Sequence, residues 1–300
     1  MKSTVWNTAN IPDQSGRTVI VTGANSGIGF EAAKELALKG AVVILAVRSQ
    51  QKGDAAAKAI QALDPQVKVT VQLIDLASLK SVKAFSTRFT EAHSALDLLI
   101  NNAGIMIPPH SLTEDGFESQ MGTNHFGHFA LTAQLFPLLQ ATKGSRIVNV
   151  SSSAHNMGKL NFDDLTWEKR KYAPLKSYGD SKIANLYFTY ELALRLQASK
   201  SKVMVTAAHP GVTETNLAKS GFLRGLNRLF AQTGPMGALP TLMAAVEGSA
   251  KSGDYFGPSG LAEWKGYPKQ VYSNKLSHDA EIARRLWETS EELTGVTFTI

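Results

Sequence analysis

The chain has 300 residues, 43% hydrophobic and 19% charged, a balance that suits a soluble globular protein with a substantial core. It contains no cysteine, which excludes disulfides, thiolate nucleophiles and thiolate metal sites. The net charge of +6 is spread along the chain, with Lys169-Arg170-Lys171 the one basic triplet, read as a solvated face or loop, and no nucleic-acid partner is expected.

No apolar run approaches the ~20 residues of a membrane helix. The amino end, Met-Lys-Ser-Thr-Val-Trp-Asn-Thr, lacks the apolar stretch of a signal peptide, so no membrane span and a cytoplasmic location are expected. Residues 1–16 are polar, with Pro12 and Gly16, and read as a surface arm that packs Val5, Trp6 or Ile11 on the body. Residues 17–300 read as a single domain. Its first strand, Val19 to Val21, stops in three spaced glycines, Gly23, Gly27 and Gly29, and a helix follows from Glu31 to Leu38. Such a turn frees backbone amides at a helix start for a phosphate, although a plain structural turn would use the same glycines.

The alternation then continues. Strands are expected at Ala41 to Val47, Val67 to Ile74, Leu96 to Ile100, Ser145 to Val150 and Val203 to Ala208. Helices are expected near Gln51 to Leu63, through Val82, Phe85 and Phe89, over Phe117 to Leu139, and from Tyr178 to Ala198. With no repeat and no linker, this is an α/β chain with one doubly wound parallel sheet, whose ligand lies outside the carboxyl ends of the strands. Beyond Thr215, Leu217, Phe222, Leu226, Leu229 and Phe230 oppose Lys219, Arg224 and Arg228 at helical spacing. A small helical lid over the substrate, within about 212–235, and a helix docked on the core both explain that pattern. A helix over Gly237 to Ala250, a final strand at the sheet edge in 253–258 and a carboxyl-terminal surface helix over 278–293 complete the chain.

The strand ends carry the candidate chemistry. Arg48 follows the second strand, where an acid would bind the ribose hydroxyls of NAD; a guanidinium suits a 2′-phosphate, and a solvated arginine is the plainer account. Asp75 could accept from an adenine amino group or cap the next helix. Asn101-Asn102-Ala103-Gly104 offers amides and close backbone approach, or simply a strand-end turn. Ser151, Ser152 and Ser153 end the fifth strand, with Ser152 preferred over its neighbour Ser151 by strand alternation. Tyr178 and Lys182, at i and i+4, share a helix face, where an ammonium would lower a phenol pKa of about 10 and make Tyr178 a general acid and base. His155, His209 and Trp264 read as packed or exposed rather than functional, and no cluster has trusted metal-ligand spacing.

Taken together, Thr22-Gly23-Ala24-Asn25-Ser26-Gly27-Ile28-Gly29, Asn101-Asn102-Ala103-Gly104 and Tyr178-x-x-x-Lys182 resemble the short-chain dehydrogenase/reductase family over residues 15 to 260. Asn124 in Thr-Asn-His-Phe-Gly, Ser152 and Pro210-Gly211-Val212-Thr213-Glu214-Thr215 match its remaining functional positions. The resemblance implies a Rossmann fold and hydride transfer between NADP(H) and a carbonyl or alcohol carbon of a small to medium apolar substrate. It implies a cofactor held by Gly23, Asn25, Ser26, Gly27, Ile28, Gly29, Arg48, Asp75, Leu76, Asn102, Ala103, Gly104, Tyr178, Lys182, Pro210, Gly211, Thr213 and Thr215. Tyr178 would protonate the substrate oxygen, Ser152 would orient it, Lys182 would bind the nicotinamide ribose, and Asn124 would hold a relay water. Ala154-His155, Phe162-Asp163-Asp164-Leu165, Glu168-Lys169 and Ser181 to Asn185 look like the branch of retinol dehydrogenases and the WW-domain oxidoreductase. From its amino end and composition, neither the membrane-anchoring segment of the vertebrate retinol enzymes nor a WW domain is expected. The family commonly forms homodimers or homotetramers through helices at 117–139 and 178–198. An NADP(H)-binding redox sensor without turnover, and an epimerase or dehydratase of the extended relatives, are the competing readings.

Overall fold

Short β-branched runs buried on both faces dictate the centre of the molecule. In a computed structural model describing residues 5–212 and 232–300, Thr18–Thr22 (β1), Val42–Val47 (β2), Lys68–Leu73 (β3), Leu98–Asn101 (β4), Arg146–Val150 (β5) and Met204–Ala208 (β6) form parallel strands. Tyr255–Pro258 (β7) adds a parallel strand beside β6, and Pro268–Val271 (β8) pairs antiparallel with β7. The order is β3-β2-β1-β4-β5-β6-β7-β8. The strand expected to edge the sheet at 253–258 is therefore internal, and β8 forms the edge. The hairpin that adds it turns through Gly260 and Gly266, and its four residues Pro-Lys-Gln-Val give no extended apolar run to read.

Alternation along each strand sends its side chains to two helical layers. Val19 and Val21 join a core with Gly27–Leu38 (α1), Gln50–Gln61 (α2) and Gly234–Val246 (α6). Ile20 points the other way, into a core with Leu79–Ala92 (α3), Gly127–Ala141 (α4), Pro174–Ala198 (α5) and Ala280–Thr294 (α7). The doubly wound reading holds, because helices cover both faces of the central strands β1, β2, β4, β5 and β6. In the arm, Ile11 is buried, Trp6 donates from Nε1 to Glu247 Oε2 at 3.1 Å, and Val5 is exposed. The lid expected within 212–235 lies, for residues 213–231, outside the described residues.

Three boundaries differ from the sequence reading in ways that shape the site. Helix α5 begins at Pro174, one turn before Tyr178, because proline suits a first turn whose N–H has no acceptor. The long helix expected from Phe117 is broken by a π-helical turn, Gly122–Phe126, between a single turn at Ser119–Met121 and α4. Helix α7, expected over 278–293, spans Ala280–Thr294; it is a surface helix with Glu281, Arg284, Arg285, Glu288 and Glu292 exposed, and its other face, Ala283, Leu286, Trp287 and Ser290, is buried. The Trp287 ring meets Phe129, Phe188 and Phe298 at centroid distances of 4.8 to 5.9 Å. The α4–α5 face on which the resemblance places a dimer contact is thus covered, at these rings, by the chain's own carboxyl end.

The segment between Ser152 and Tyr178 is also tied down. Arg170 lies 3.5 Å over the Trp167 ring and pairs with Asp164 at 3.3 Å and Asp180 at 3.7 Å, so one member of the basic triplet is a structural strut rather than a solvated charge. Trp287→Ala should lower stability by about 3–5 kcal/mol, the cost of a large buried cavity, read as a fall in denaturant midpoint with the slope unchanged; a loss under about 1 kcal/mol would mean that α7 contributes little to the core.

Candidate active site

The turn after β1 builds a phosphate-ready surface. Ser26 stands at the N-cap of α1, exposed, and makes no side-chain capping bond, so its hydroxyl and the first amides of the helix are open to an anion. Gly29 is required by close approach: a Cβ there would fall on the Asn102 side-chain amide and the Gly23 carbonyl. Asn102 in turn donates from Nδ2 to the Thr22 carbonyl at 2.8 Å, and the amides of Asn102 and Ala103 both donate to Thr22 Oγ1 at 2.9 Å. The Asn102 side chain, expected to face a cofactor, thus ties β4 to β1. Asn25, Gly27 and Ile28 lie in the same turn, half-buried.

Arg48 follows β2, exposed and without an ion pair among the described residues. Asp75 does not cap α3. That position belongs to Ser78, which accepts from the Ser81 amide at 3.3 Å, while Asp75 Oδ1 accepts from the Ala77 amide at 3.0 Å. Leu76 is buried beneath the start of α4, where a Cβ on Gly127 would strike its carbonyl.

Tyr178, Lys182, Ser152 and Asn124 converge at the carboxyl ends of β4 and β5. The ammonium of Lys182 lies 5.7 Å from the Tyr178 ring centroid and donates to the Val150 carbonyl at 3.1 Å. Ser152 Oγ accepts from the Ala154 amide at 3.2 Å, and its hydroxyl is hydrogen-bonded with Tyr178. Ser151 is buried and donates its hydroxyl to the Lys182 carbonyl at 2.8 Å, which commits the rival serine to holding α5. Asn124 Oδ1 accepts from the Ile105 amide at 2.9 Å, and its Nδ2 donates to the Ile105 carbonyl at 3.0 Å and Ser181 Oγ at 2.9 Å. Gly104 leaves a gap between them: a Cβ on it would sit 3.1 Å from Asn124 Oδ1 and 3.5 Å from Lys182 Nζ. An open helix start, a chain of side-chain-free positions and a buried ammonium together fit a dinucleotide with its sugar against Lys182.

Electrostatics here follow burial more than charge pairing. Burial pushes the Tyr178 phenol up to about 12, with the Ser152 hydrogen bond pulling the other way, and holds Lys182 down to about 8. The expectation that Lys182 lowers Tyr178 is not met in the chain alone. The two groups make no hydrogen bond with each other, and the low-dielectric site penalises both charged forms.

Pro210 and Gly211 follow β6 as expected. The Pro210 carbonyl accepts from Gln232 Nε2 at 2.6 Å, and a Cβ on Gly211 would fall on the Trp264 carbonyl. Thr213 and Thr215 lie outside the described residues. His209 is wholly buried, with Nε2 2.8 Å from Glu263 Oε2, and anchors the β7–β8 turn beside Gly211. His155 Nδ1 lies 2.7 Å from the Ser152 carbonyl, and its Nε2 accepts from the Asn274 amide at 3.3 Å. These histidines are packed, as read, but one holds the backbone of Ser152. Sequence reasoning missed Thr22, His128 and Ser181 as partners of the site; a polar residue ending an apolar strand, and polar residues on otherwise apolar helix faces, were the available signals.

A family profile described as short chain dehydrogenase matches residues 17–223. Retinol dehydrogenase 13 of Homo sapiens is 44% identical over 300 residues, covering 96% of this chain and 86% of the relative. Retinol dehydrogenase 11 of Mus musculus is 44% identical over 287 residues, covering 94% and 87%. Among solved structures, an uncharacterized protein from Mycobacterium paratuberculosis superposes with a TM-score of 0.85 at 43% identity, covering 99% of this chain and all of that one. A short chain dehydrogenase from Shigella flexneri complexed with NADP gives 0.65 at 25% identity, covering 81% and 97%. On this profile match and these identities, the chain belongs to the short-chain dehydrogenase/reductase family of oxidoreductases.

Proposed function

We propose that the protein transfers a hydride between NADP(H) and the carbonyl or alcohol carbon of a small to medium apolar substrate, an aldehyde, ketone or secondary alcohol, with retinal-like compounds in range, and that it works in the cytoplasm. The observation that carries this reading is the meeting of Tyr178, Ser152, Lys182 and Asn124 around Gly104. The retinol dehydrogenase names of the relatives favour an apolar substrate. Arg48 favours the phosphorylated cofactor, since the guanidinium stands where an acid would otherwise take the ribose hydroxyls.

When bound, the nicotinamide supplies the hydride. Tyr178 then gives its proton to the carbonyl oxygen as negative charge develops there, and Ser152, already bonded to the Tyr178 hydroxyl, donates to the same oxygen and orients it. Lys182 holds the cofactor ribose with an ammonium that burial keeps near its point of proton loss, so it can pass protons at neutral to mildly basic pH. Asn124 anchors the strand-end loop at Ile105 and leaves the turn beside Lys182 as the place for a relay water.

With NADPH and a panel of aldehydes, ketones and quinones, Tyr178→Phe should be at least about a hundredfold slower than the native chain, the size of a lost general acid. Tight NADPH binding with no turnover in either protein would move the reading to a redox sensor. Arg48→Asp should shift the ratio of kcat/KM values from NADPH toward NADH by about tenfold or more; an unchanged ratio would assign the 2′-phosphate to other residues.

Burial of Lys182 also makes a stability claim. Its pKa is near 8 folded and 10.5 as an ordinary lysine, so between those values the unfolded chain holds a proton that the folded chain has released. Stability therefore rises with pH across that window, and below it the full cost of the buried ammonium is present. In the cofactor-free protein, Lys182→Met should be more stable near neutral pH, by up to about 3 kcal/mol, with the gain shrinking toward pH 10. A variant less stable than the native chain in denaturant titrations near neutral pH would show that the ammonium is net stabilising.

A further inference from the structure

The π-helical turn that carries Asn124 is gripped from behind by a residue the reaction does not touch. His128 is one turn further along, 2% exposed, with Nδ1 3.0 Å from the main-chain oxygen of Asn124 and Nε2 2.9 Å from Thr22 Oγ1. A carbonyl can only accept, so Nδ1 carries the proton and Nε2 is left to accept from the Thr22 hydroxyl. The Ile100 carbonyl, 3.3 Å from that hydroxyl, is the longer alternative. Burial holds the ring neutral, its pKa lowered to about 4, with Lys182 nearby opposing a second proton.

Thr22 Oγ1 meanwhile accepts from the amides of Asn102 and Ala103. One line of hydrogen bonds thus runs from the strand ends that floor the cofactor site, through Thr22 and the imidazole, to the carbonyl of Asn124. His128 is braced in its own place, since its carbonyl accepts from Thr132 Oγ1 at 2.7 Å and Thr132 accepts from Asn101 Nδ2 at 2.9 Å. A buried histidine satisfied for packing alone needs two partners of any kind. Here the two partners are the last residue of β1 and the residue at the relay position, which a packing role does not require.

We propose that His128 is a positioning residue: by bridging Thr22 Oγ1 and the Asn124 carbonyl it keeps the cofactor floor and the proton-relay turn in a fixed relation. This rests on the oxidoreductase reading above for its kinetic half, while its binding half stands on NADPH affinity alone.

The test uses three full-length variants, each measured for kcat at saturating NADPH and carbonyl, for NADPH dissociation constant by fluorescence titration, and for melting temperature. His128→Leu removes both bonds at similar bulk. His128→Asn can keep a donor near the Nδ1 position, and His128→Gln an acceptor near the Nε2 position. Loss of one or two buried hydrogen bonds predicts a fall in kcat of about tenfold for His128→Leu, with NADPH bound several-fold more weakly. His128→Asn should recover more of kcat, and His128→Gln more of the affinity. Native kcat and affinity in His128→Leu, with only the melting temperature lowered, overturn the proposal. If His128→Leu does not fold, the Asn and Gln variants decide against each other: opposite rescue supports the bridge, and identical behaviour overturns it. If the native chain reduces no carbonyl, the oxidoreductase reading fails separately, and the affinity arm decides: weaker NADPH binding in His128→Asn than in His128→Gln supports the bridge, and equal binding overturns it.

Discussion

A parallel sheet buried on both faces must find partners for the polar groups at its carboxyl ends, and this molecule meets most of that need with a hydrogen-bonded row of small polar side chains. Within the row, Asn101 Oδ1 accepts no bond among the described residues. Asn101 on β4 donates to Thr132 of α4 and to Asn149 Oδ1 of β5, both at 2.9 Å; Asn149 donates to Thr189 of α5 at 3.0 Å, and Thr189 to the Asn185 carbonyl at 2.7 Å. Asn185 donates to the Val150 carbonyl, the same oxygen that receives Lys182. Each bond adds only about 1 kcal/mol net, yet an unmet partner in this dry layer would cost more, so the row fixes where the helices sit on the sheet. The meeting of Tyr178, Ser152, Lys182 and Asn124 is a by-product of that register.

The same dryness sets the electrostatic character of the site. A phenol pushed to about 12 and an ammonium held near 8 are both kept from charging by burial. Burial thus keeps the Tyr178 phenol protonated, the state that the proposed proton donation to a carbonyl oxygen would require. The cost falls on the folded chain, which holds a buried cation hydrogen-bonded to the Val150 backbone carbonyl. This is stability surrendered at a working site, and the aromatic cluster of Phe129, Phe188, Trp287 and Phe298 on the far side of α4 and α5 offsets it.

Two further attachments make the site a property of the whole chain. The segment between Ser152 and Tyr178 is tied to the helix carrying Asn124 through Gln120, which donates to Tyr172 and to the Pro174 carbonyl, both at 2.9 Å, and accepts from the Ile107 amide. Glu118, buried, accepts from the Tyr172 hydroxyl at 3.0 Å while capping the turn at Ser119–Met121. Helix α7 reaches the π-helical turn as well, with Ser290 Oγ 2.9 Å from His125 Nε2. Residues far apart in sequence therefore hold the two flanks of one reacting position.

Much of this was legible in the residues themselves. Continuous β-branched runs gave away strands buried on both faces, and glycine spacing after β1 and the Tyr178–Lys182 offset marked the candidate site, because steric and helical periodicities are local and leave their mark in sequence order; Asn124 came from the family resemblance instead. The one-turn-earlier start of α5, the π-helical break before α4, the aromatic partners of the inner face of α7 and the added strand β8 were decided only by packing, since each depends on what lies opposite in space. So were the partners: nothing local ties Ser151 to the Lys182 carbonyl, or assigns Asn102 to a backbone tie rather than to a ligand, until β1, β4 and β5 stand side by side. The sign of the Tyr178 shift was decided there too, because spacing along a helix fixes proximity to a charge, while only the fold fixes how much water is excluded around both.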